Sequence, residues 1–128
     1  MRDIVELRAL PQRYARAADE RDIEKLAALF HPQATVAGTR GEQTLVEWLD
    51  TMRAPRTFPT SMHVLGDPLI ALPEGDEAGE LDTYAVVYQL GGEGQSDLTL
   101  GIRYLDSVVR HNGRWVIKAR RATTVWMR

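Results

Sequence analysis

Asn112-Gly113 is the dipeptide that most restricts what this chain can become. It stands between two long runs, Leu98 to Arg110 and Trp115 to Trp126. Asn-Gly suits the left-handed positions of a two-residue hairpin, so the two runs are predicted to pair antiparallel. Other strands precede them. Leu81 to Leu90 is rich in Thr, Tyr and Val, residues that fit a pleated surface. Thr57 to Leu65 alternates, with Ser61, His63 and Leu65 on one face and Met62 and Val64 on the other. Gly66-Asp67-Pro68 is a turn signal before a short apolar run, Leu69 to Leu72. Pro73 to Gly79 reads as an acidic loop and Gly91 to Asp97 as a flexible turn.

The first half of the chain has a helical period instead. Ile4, Leu7, Pro11, Tyr14 and Ala18 recur at helical spacing, which predicts a helix from about residue 3 to residue 20. Pro11 is expected to kink it and to set off its first turns as a separate short helix. A second helix is predicted from Ile23 to Phe30, capped by Asp22 and stopped by His31-Pro32. Ala34 to Gly38 is a short strand. Leu45, Trp48, Leu49 and Met52 predict a third helix over Glu42 to Arg53, broken at Ala54-Pro55. Helices first and strands afterwards predict an α+β fold, with helices packed on one face of a strongly curved antiparallel sheet. The open end of such a sheet is where a small-molecule pocket forms.

Composition narrows the function. The 128 residues suit one domain spanning 1–128. Sixteen basic against 18 acidic residues give a net charge of −2, no electrostatic case for nucleic acid or an anionic membrane. The absence of Cys excludes disulfides, thiolate metal sites and a cysteine nucleophile, and fits a reducing compartment. The charged N-terminus MRDIVELRAL is not a signal peptide, and no run approaches the ~20 apolar residues of a membrane span. A cytoplasmic protein is the expectation. Three scattered histidines are not a metal site.

Asp19 and Asp22 differ in their local excuse. Asp22 precedes Ile23, where a carboxylate satisfies free helix amides. Asp19 falls near the end of the first helix, where the helix dipole disfavours a negative charge. A carboxylate placed against local preference, at the edge of an alanine and tyrosine face, raises a functional question.

Several short patterns then occur in order: Tyr14-x-x-Ala17-x-Asp19-x-x-Asp22, Leu29-Phe30-His31-Pro32-x-Ala34, Ser61-x-His63, Gly101-x-Arg103-Tyr104-x-Asp106 and Gly113-x-Trp115-x-Ile117-x-x-Arg120. Together they resemble the SnoaL-like branch of the nuclear transport factor 2-like superfamily. The resemblance implies a cone-shaped α+β barrel. It also implies kinship with scytalone dehydratase, bile acid 7-alpha-dehydratase and hexachlorocyclohexane dehydrochlorinase, lyases that need no cofactor and use an Asp and His pair. The matching positions are Asp19 and His63. For the arginine of the dehydrochlorinase, Arg103 is the first match and Arg120 the second. The strand Leu81 to Leu90 lacks the second histidine of scytalone dehydratase, Tyr104 falls where that enzyme has asparagine, and Ala18 where it has tyrosine. That particular activity is therefore not expected.

The implied chemistry is acid–base elimination on a small, largely apolar molecule, without metal or cofactor. His63, with an ordinary pKa of ~6.5, takes a proton beside a leaving hydroxyl or halide. Asp19 fixes its tautomer, and an arginine or tyrosine stabilises the developing charge. Tyr14, Trp48, Tyr104 and Arg120 are the candidate substrate contacts, though the tyrosines and tryptophan also suit a core. Asp106 and Arg110 are expected to face solvent or a partner subunit. Isomerisation, polyketide cyclisation, or ligand binding and dimerisation without turnover are the alternatives. A homodimer is expected, with a trimer as the second choice, because a curved sheet leaves one face to cover.

Overall fold

A computed structural model describes residues 2–73 and 77–128. Helix α1 (Arg2–Glu20) runs through Pro11 in one piece, so the separate first helix does not form. Pro11 removes one backbone bond, but it is buried on the same face as Leu7, Leu10 and Tyr14, and packing of that face holds the helix together. At its end Arg21 N–H donates to Ala18 O (3.2 Å) and Asp22 N–H to Ala17 O (3.0 Å), a Schellman closure. Asp22 then caps helix α2 (Ile23–Ala28) by accepting from the Lys25 amide.

Helix α2 stops before the apolar pattern does. Leu29 O accepts the Ile117 amide at 2.9 Å, and Phe30 already pairs with Ile117. Ladder bonds over the core outweigh one more turn of a short helix. Strand β1 therefore spans Phe30–Gly38 and takes in His31-Pro32. Gly41–Thr44 forms strand β2 against it, not the start of the third helix. Helix α3 (Leu45–Arg53) begins at a capping box, in which Thr44 Oγ1 accepts the Glu47 amide (3.2 Å) and Glu47 Oε1 accepts the Thr44 amide (2.9 Å).

The remaining strands are β3 (Thr60–Leu65), β4 (Leu69–Ala71), β5 (Ala78–Leu90), β6 (Leu98–His111) and β7 (Arg114–Met127). Of the loop expected over Pro73 to Gly79, residues 74–76 lie outside the described residues, and Ala78 and Gly79 already belong to β5. The sheet order is β2-β1-β7-β6-β5-β3, with β4 also on β5. The sheet is mixed, not wholly antiparallel, because β1 runs parallel to β7. A parallel pair needs a long connection, and the chain between β1 and β7 supplies it.

Asn112 and Gly113 turn the β6–β7 hairpin with φ of 51° and 77°, the positive values a two-residue hairpin turn of this kind requires. Register shifts at Gly101/Ile102 and Ser107/Val108 interrupt this ladder; such bulges bend a strand and raise its twist. The sheet is curved and unclosed, and the three helices pack on it. Leu7, Leu26, Trp115 and Ile117 lie at the centre of the core. Along β5, Leu81, Thr83, Ala85 and Val87 point inward; along β6, Tyr104, Asp106 and Val108 do.

Candidate active site

Asp19 stands in the last turn of α1, and Ser61 and His63 stand on the inner-facing positions of β3. The three meet. His63 Nδ1 lies 2.7 Å from Asp19 Oδ1, and the His63 amide donates to Asp19 Oδ2 at 2.8 Å. Ser61 Oγ donates to Asp19 Oδ1 at 2.8 Å. Three bonds hold the carboxylate at a helix end that does not favour it, which answers the question its position raised. The His63 side chain is 9% exposed and the Asp19 side chain 20%.

An ionised carboxylate only accepts, so Nδ1 carries the proton and Nε2 keeps its lone pair. Burial pushes the His63 pKa below the ordinary histidine value; the Asp19 bond and charge oppose the shift, and the cations Arg120 and Arg21 reinforce it. The imidazole is therefore neutral near pH 7, the form a general base needs.

Arg120 lies on the inner face of β7 and is 3% exposed. Its Nε and Nη2 donate to the two oxygens of Asp106, its cross-strand partner on β6, at 2.7 and 2.9 Å. Its guanidinium carbon sits 3.9 Å from the ring centre of Tyr14 and 4.2 Å from that of Tyr104. Burial and the neighbouring Tyr14 raise the Tyr104 pKa well above the ordinary tyrosine value. Arg120 Nη1 is buried without a partner.

Beside this cluster is a cavity of about 280 Å³, lined by Tyr14, Trp48, Ile102, Tyr104 and Arg120 among others. All four candidate substrate contacts converge there. Tyr14 connects the cavity to the dyad: its ring stacks near Trp48 (6.2 Å between centres) and meets the His63 ring edge-on (6.0 Å). Neither this cavity nor a groove of about 550 Å³ on the outer sheet face is lined by Asp19 or His63; the dyad sits behind the Tyr14 ring.

Arg103 does not join the site. It points to the outer face and pairs with Asp82 at 2.9 and 2.6 Å. Asp106 corrects in the opposite sense: it is 2% exposed and faces inward. Arg110 binds Asp3 of α1 and stacks on Trp115. Strand alternation carried the signal for the first two. Tyr104 and Asp106 share a face, and Arg103 cannot share it with them. Sequence reasoning also gave no role to Ser61, Arg21 or Arg56. Arg56 Nη2 approaches Ser61 Oγ at 3.3 Å. Among the described residues, no three His, Cys, Asp or Glu side chains converge to hold a metal ion. Nor is any described helix long and apolar enough to cross a membrane.

No curated protein matches the sequence. Solved structures do match the fold. A protein from Novosphingobium aromaticivorans, provisionally named a scytalone dehydratase, is 23% identical with a TM-score of 0.86, over 100% of this chain and 91% of that one. The Kfla4162 protein of Kribbella flavida is 16% identical with a TM-score of 0.87, over 99% and 93%. Hexachlorocyclohexane dehydrochlorinase LinA-type3 of Novosphingobium barchaimii is 12% identical with a TM-score of 0.83, over 97% and 87%. The model of the SnoaL-like domain matches residues 1–121, and the chain belongs to that family.

Proposed function

We propose that this protein is a cofactor-independent lyase that eliminates a hydroxyl or halide from a small molecule held in the inner cavity. The observation that carries this reading is the 2.7 Å contact between His63 Nδ1 and Asp19 Oδ1, with the second carboxylate oxygen held by the His63 amide. His63 Nε2 removes a proton from the carbon next to the leaving group. Asp19 holds the ring in one tautomer and stabilises the imidazolium that forms. Arg120, not Arg103, meets the charge that develops on the leaving group or on a carbonyl oxygen, since its Nη1 is unpartnered and it lines the cavity. Tyr14, Trp48 and Tyr104 enclose the apolar part of the substrate.

Isomerisation or cyclisation would use the same proton transfer, so the reaction class rests on assay. A panel of hydroxylated and halogenated compounds is incubated with wild type, Asp19→Asn and His63→Ala, and alkene formation is followed. Elimination by wild type, reduced roughly 10²–10⁴-fold in each variant, is the expected result. Turnover that survives both substitutions ends the reading. The outer sheet face exposes Met62, Val64, Tyr84, Val125 and Trp126, which supports a homodimer assembled on that face. The lack of cysteine supports a reducing, cytoplasmic setting.

A further inference from the structure

Two side chains beside the dyad take no part in the reaction as set out above. Ser61 stands two residues before His63 on β3, and the period of a strand turns both toward α1. A carboxylate only accepts and a guanidinium only donates, so the direction of each bond to the serine is fixed. Ser61 Oγ donates to Asp19 Oδ1 at 2.8 Å and accepts from Arg56 Nη2 at 3.3 Å. Arg56 lies in the connection between α3 and β3. Its Nη1 donates to Pro59 O at 2.9 Å, and its Nη2 also lies 3.5 Å from Asp19 O. Among the described residues, Arg56 forms no ion pair with a carboxylate. The hydrogen-bonded route from its charge to the Asp19 carboxylate runs through the serine hydroxyl. Arg56, Ser61, Asp19 and His63 thus form one chain of bonds.

The two carboxylate oxygens are used differently. Oδ2 accepts the His63 amide at 2.8 Å. Oδ1 accepts His63 Nδ1 at 2.7 Å and Ser61 Oγ at 2.8 Å. Ser61 therefore competes with the imidazole for the same oxygen. A donor on a carboxylate oxygen draws charge from it, and a cation behind that donor strengthens the draw. Less charge on Oδ1 means a smaller gain when His63 takes a proton. The other groups facing His63 act without touching Oδ1. Arg120 on β7 and Arg21 beyond α1 oppose protonation. Tyr14 of α1 presents its ring edge-on, and the cross-strand neighbour on β5, Val87, is apolar.

Taking His63 as the base proposed above, we infer that Ser61 and Arg56 are positioning residues that weaken the Asp19–His63 attraction and so keep the imidazole neutral and ready for a proton. Neither lines the inner cavity, and neither touches the substrate. Asp19 alone would favour a charged ring; the Ser61–Arg56 branch limits that pull while the His63 amide keeps the carboxylate in place.

The titration of His63 tests this without substrate. The imidazole signals of the full chain are followed by NMR from about pH 8 to about pH 4.5, with His63→Gln to assign them. Ser61→Ala should raise the His63 pKa by about 0.5 to 1, the worth of one hydrogen bond. Ser61→Thr keeps the hydroxyl and should restore the wild-type value. Arg56→Gln should give a smaller rise, and nearly none when Ser61→Ala is already present. The acid limb of the pH–rate profile should move upward with the pKa in Ser61→Ala. A His63 pKa that stays or falls in Ser61→Ala overturns the inference. So does a rise that Ser61→Thr leaves in place. Full additivity of the two substitutions strikes Arg56 from the chain. The two readings fail separately. If no compound is eliminated while the His63 pKa moves as stated, the lyase falls and the tuning stands. If wild type eliminates and Ser61→Ala leaves the pKa unmoved, the lyase stands and the tuning falls.

Discussion

Two arginine–aspartate pairs stand on opposite faces of the same sheet. Arg120–Asp106 lies inside, with bonds of 2.7 and 2.9 Å. Arg103–Asp82 lies outside, with bonds of 2.9 and 2.6 Å. Their geometry is nearly the same and their surroundings are not. The inner side chains are 1% and 0% exposed, the outer ones 43% and 26%. Inside, neither charge has water to fall back on, so each partner is indispensable to the other. Outside, water solvates both, and the same two bonds add little. The inner pair also presents a free Nη1 beside a cavity. Burial, not bond length, separates the inner arginine from the surface one.

The largest effect expected from breaking this comparison is on stability. Asp106→Ala leaves a fully buried guanidinium without a counter-charge and should cost about 3–5 kcal/mol, read as a large fall in the urea midpoint. Asp82→Ala on the outer face should produce a small fraction of that fall. Equal losses would show that the two faces are not different environments for charge. Activity sharpens the same contrast. Arg120→Lys keeps the charge but loses the planar fork between two tyrosine rings, and should lower elimination roughly 10²-fold while the circular dichroism spectrum is kept. Arg103→Ala should turn over like wild type, within about twofold. A substantial activity loss on Arg103→Ala would restore the outer arginine to the mechanism.

How much of this was legible depended on which physical signal each residue carried. The β6–β7 hairpin followed from Asn112-Gly113 because both residues accept positive φ. The Asp19–His63 pair came from a carboxylate set against the helix dipole and from the order of short motifs. Arg103 was misplaced because a motif match ignored pleat alternation: Tyr104 faces inward, so its neighbour faces outward. Asp106 was missed for the same reason. The parallel pairing of β1 with β7 was not readable locally, since it joins residues at opposite ends of the chain. The left-handed backbone of Arg21, with φ of 55°, was not legible either. Nothing in a sequence marks an arginine as left-handed until the helix closure around it is known.

A smaller effect concerns pH, and again sets a buried group against an exposed one. The folded state lowers the His63 pKa below the ordinary 6.5, chiefly by burial. Below pH 6.5 the unfolded imidazole takes a proton that the folded one refuses, so the unfolded state gains and stability declines. The loss accumulates as pH falls from 6.5 to the lowered folded value and then levels off. His63→Gln should therefore flatten the dependence of the urea midpoint on pH between about 7.5 and 5.5. Retention of the full slope in His63→Gln would assign it to other groups. His31 also has a lowered pKa, from partial burial and from Lys118 and His111, so His31→Gln serves as the less buried reference and should change the slope less.

The smallest effect is the one that best defines the outer face. Arg103 holds the Asp82 carboxyl below the ordinary carboxylate range. This is a depressed acid, so whatever stability it contributes is present above the ordinary aspartate pKa and is lost as pH falls through the folded value. The pair is largely solvated, and salt screens it. In a double-mutant cycle of Asp82→Ala and Arg103→Ala, the coupling at neutral pH should be barely resolved from the error of the urea midpoints. It should disappear in 1 M salt, or as the pH falls through the lowered folded value of Asp82. A large coupling that survives salt would mean that the outer face is covered in solution. The exposed apolar residues around the pair, Tyr84 and Leu105 among them, would then be the surface that a second copy of this chain covers. The same cycle repeated across protein concentration separates the cases: coupling that rises with concentration belongs to a dimer interface, and constant weak coupling to a face open to water.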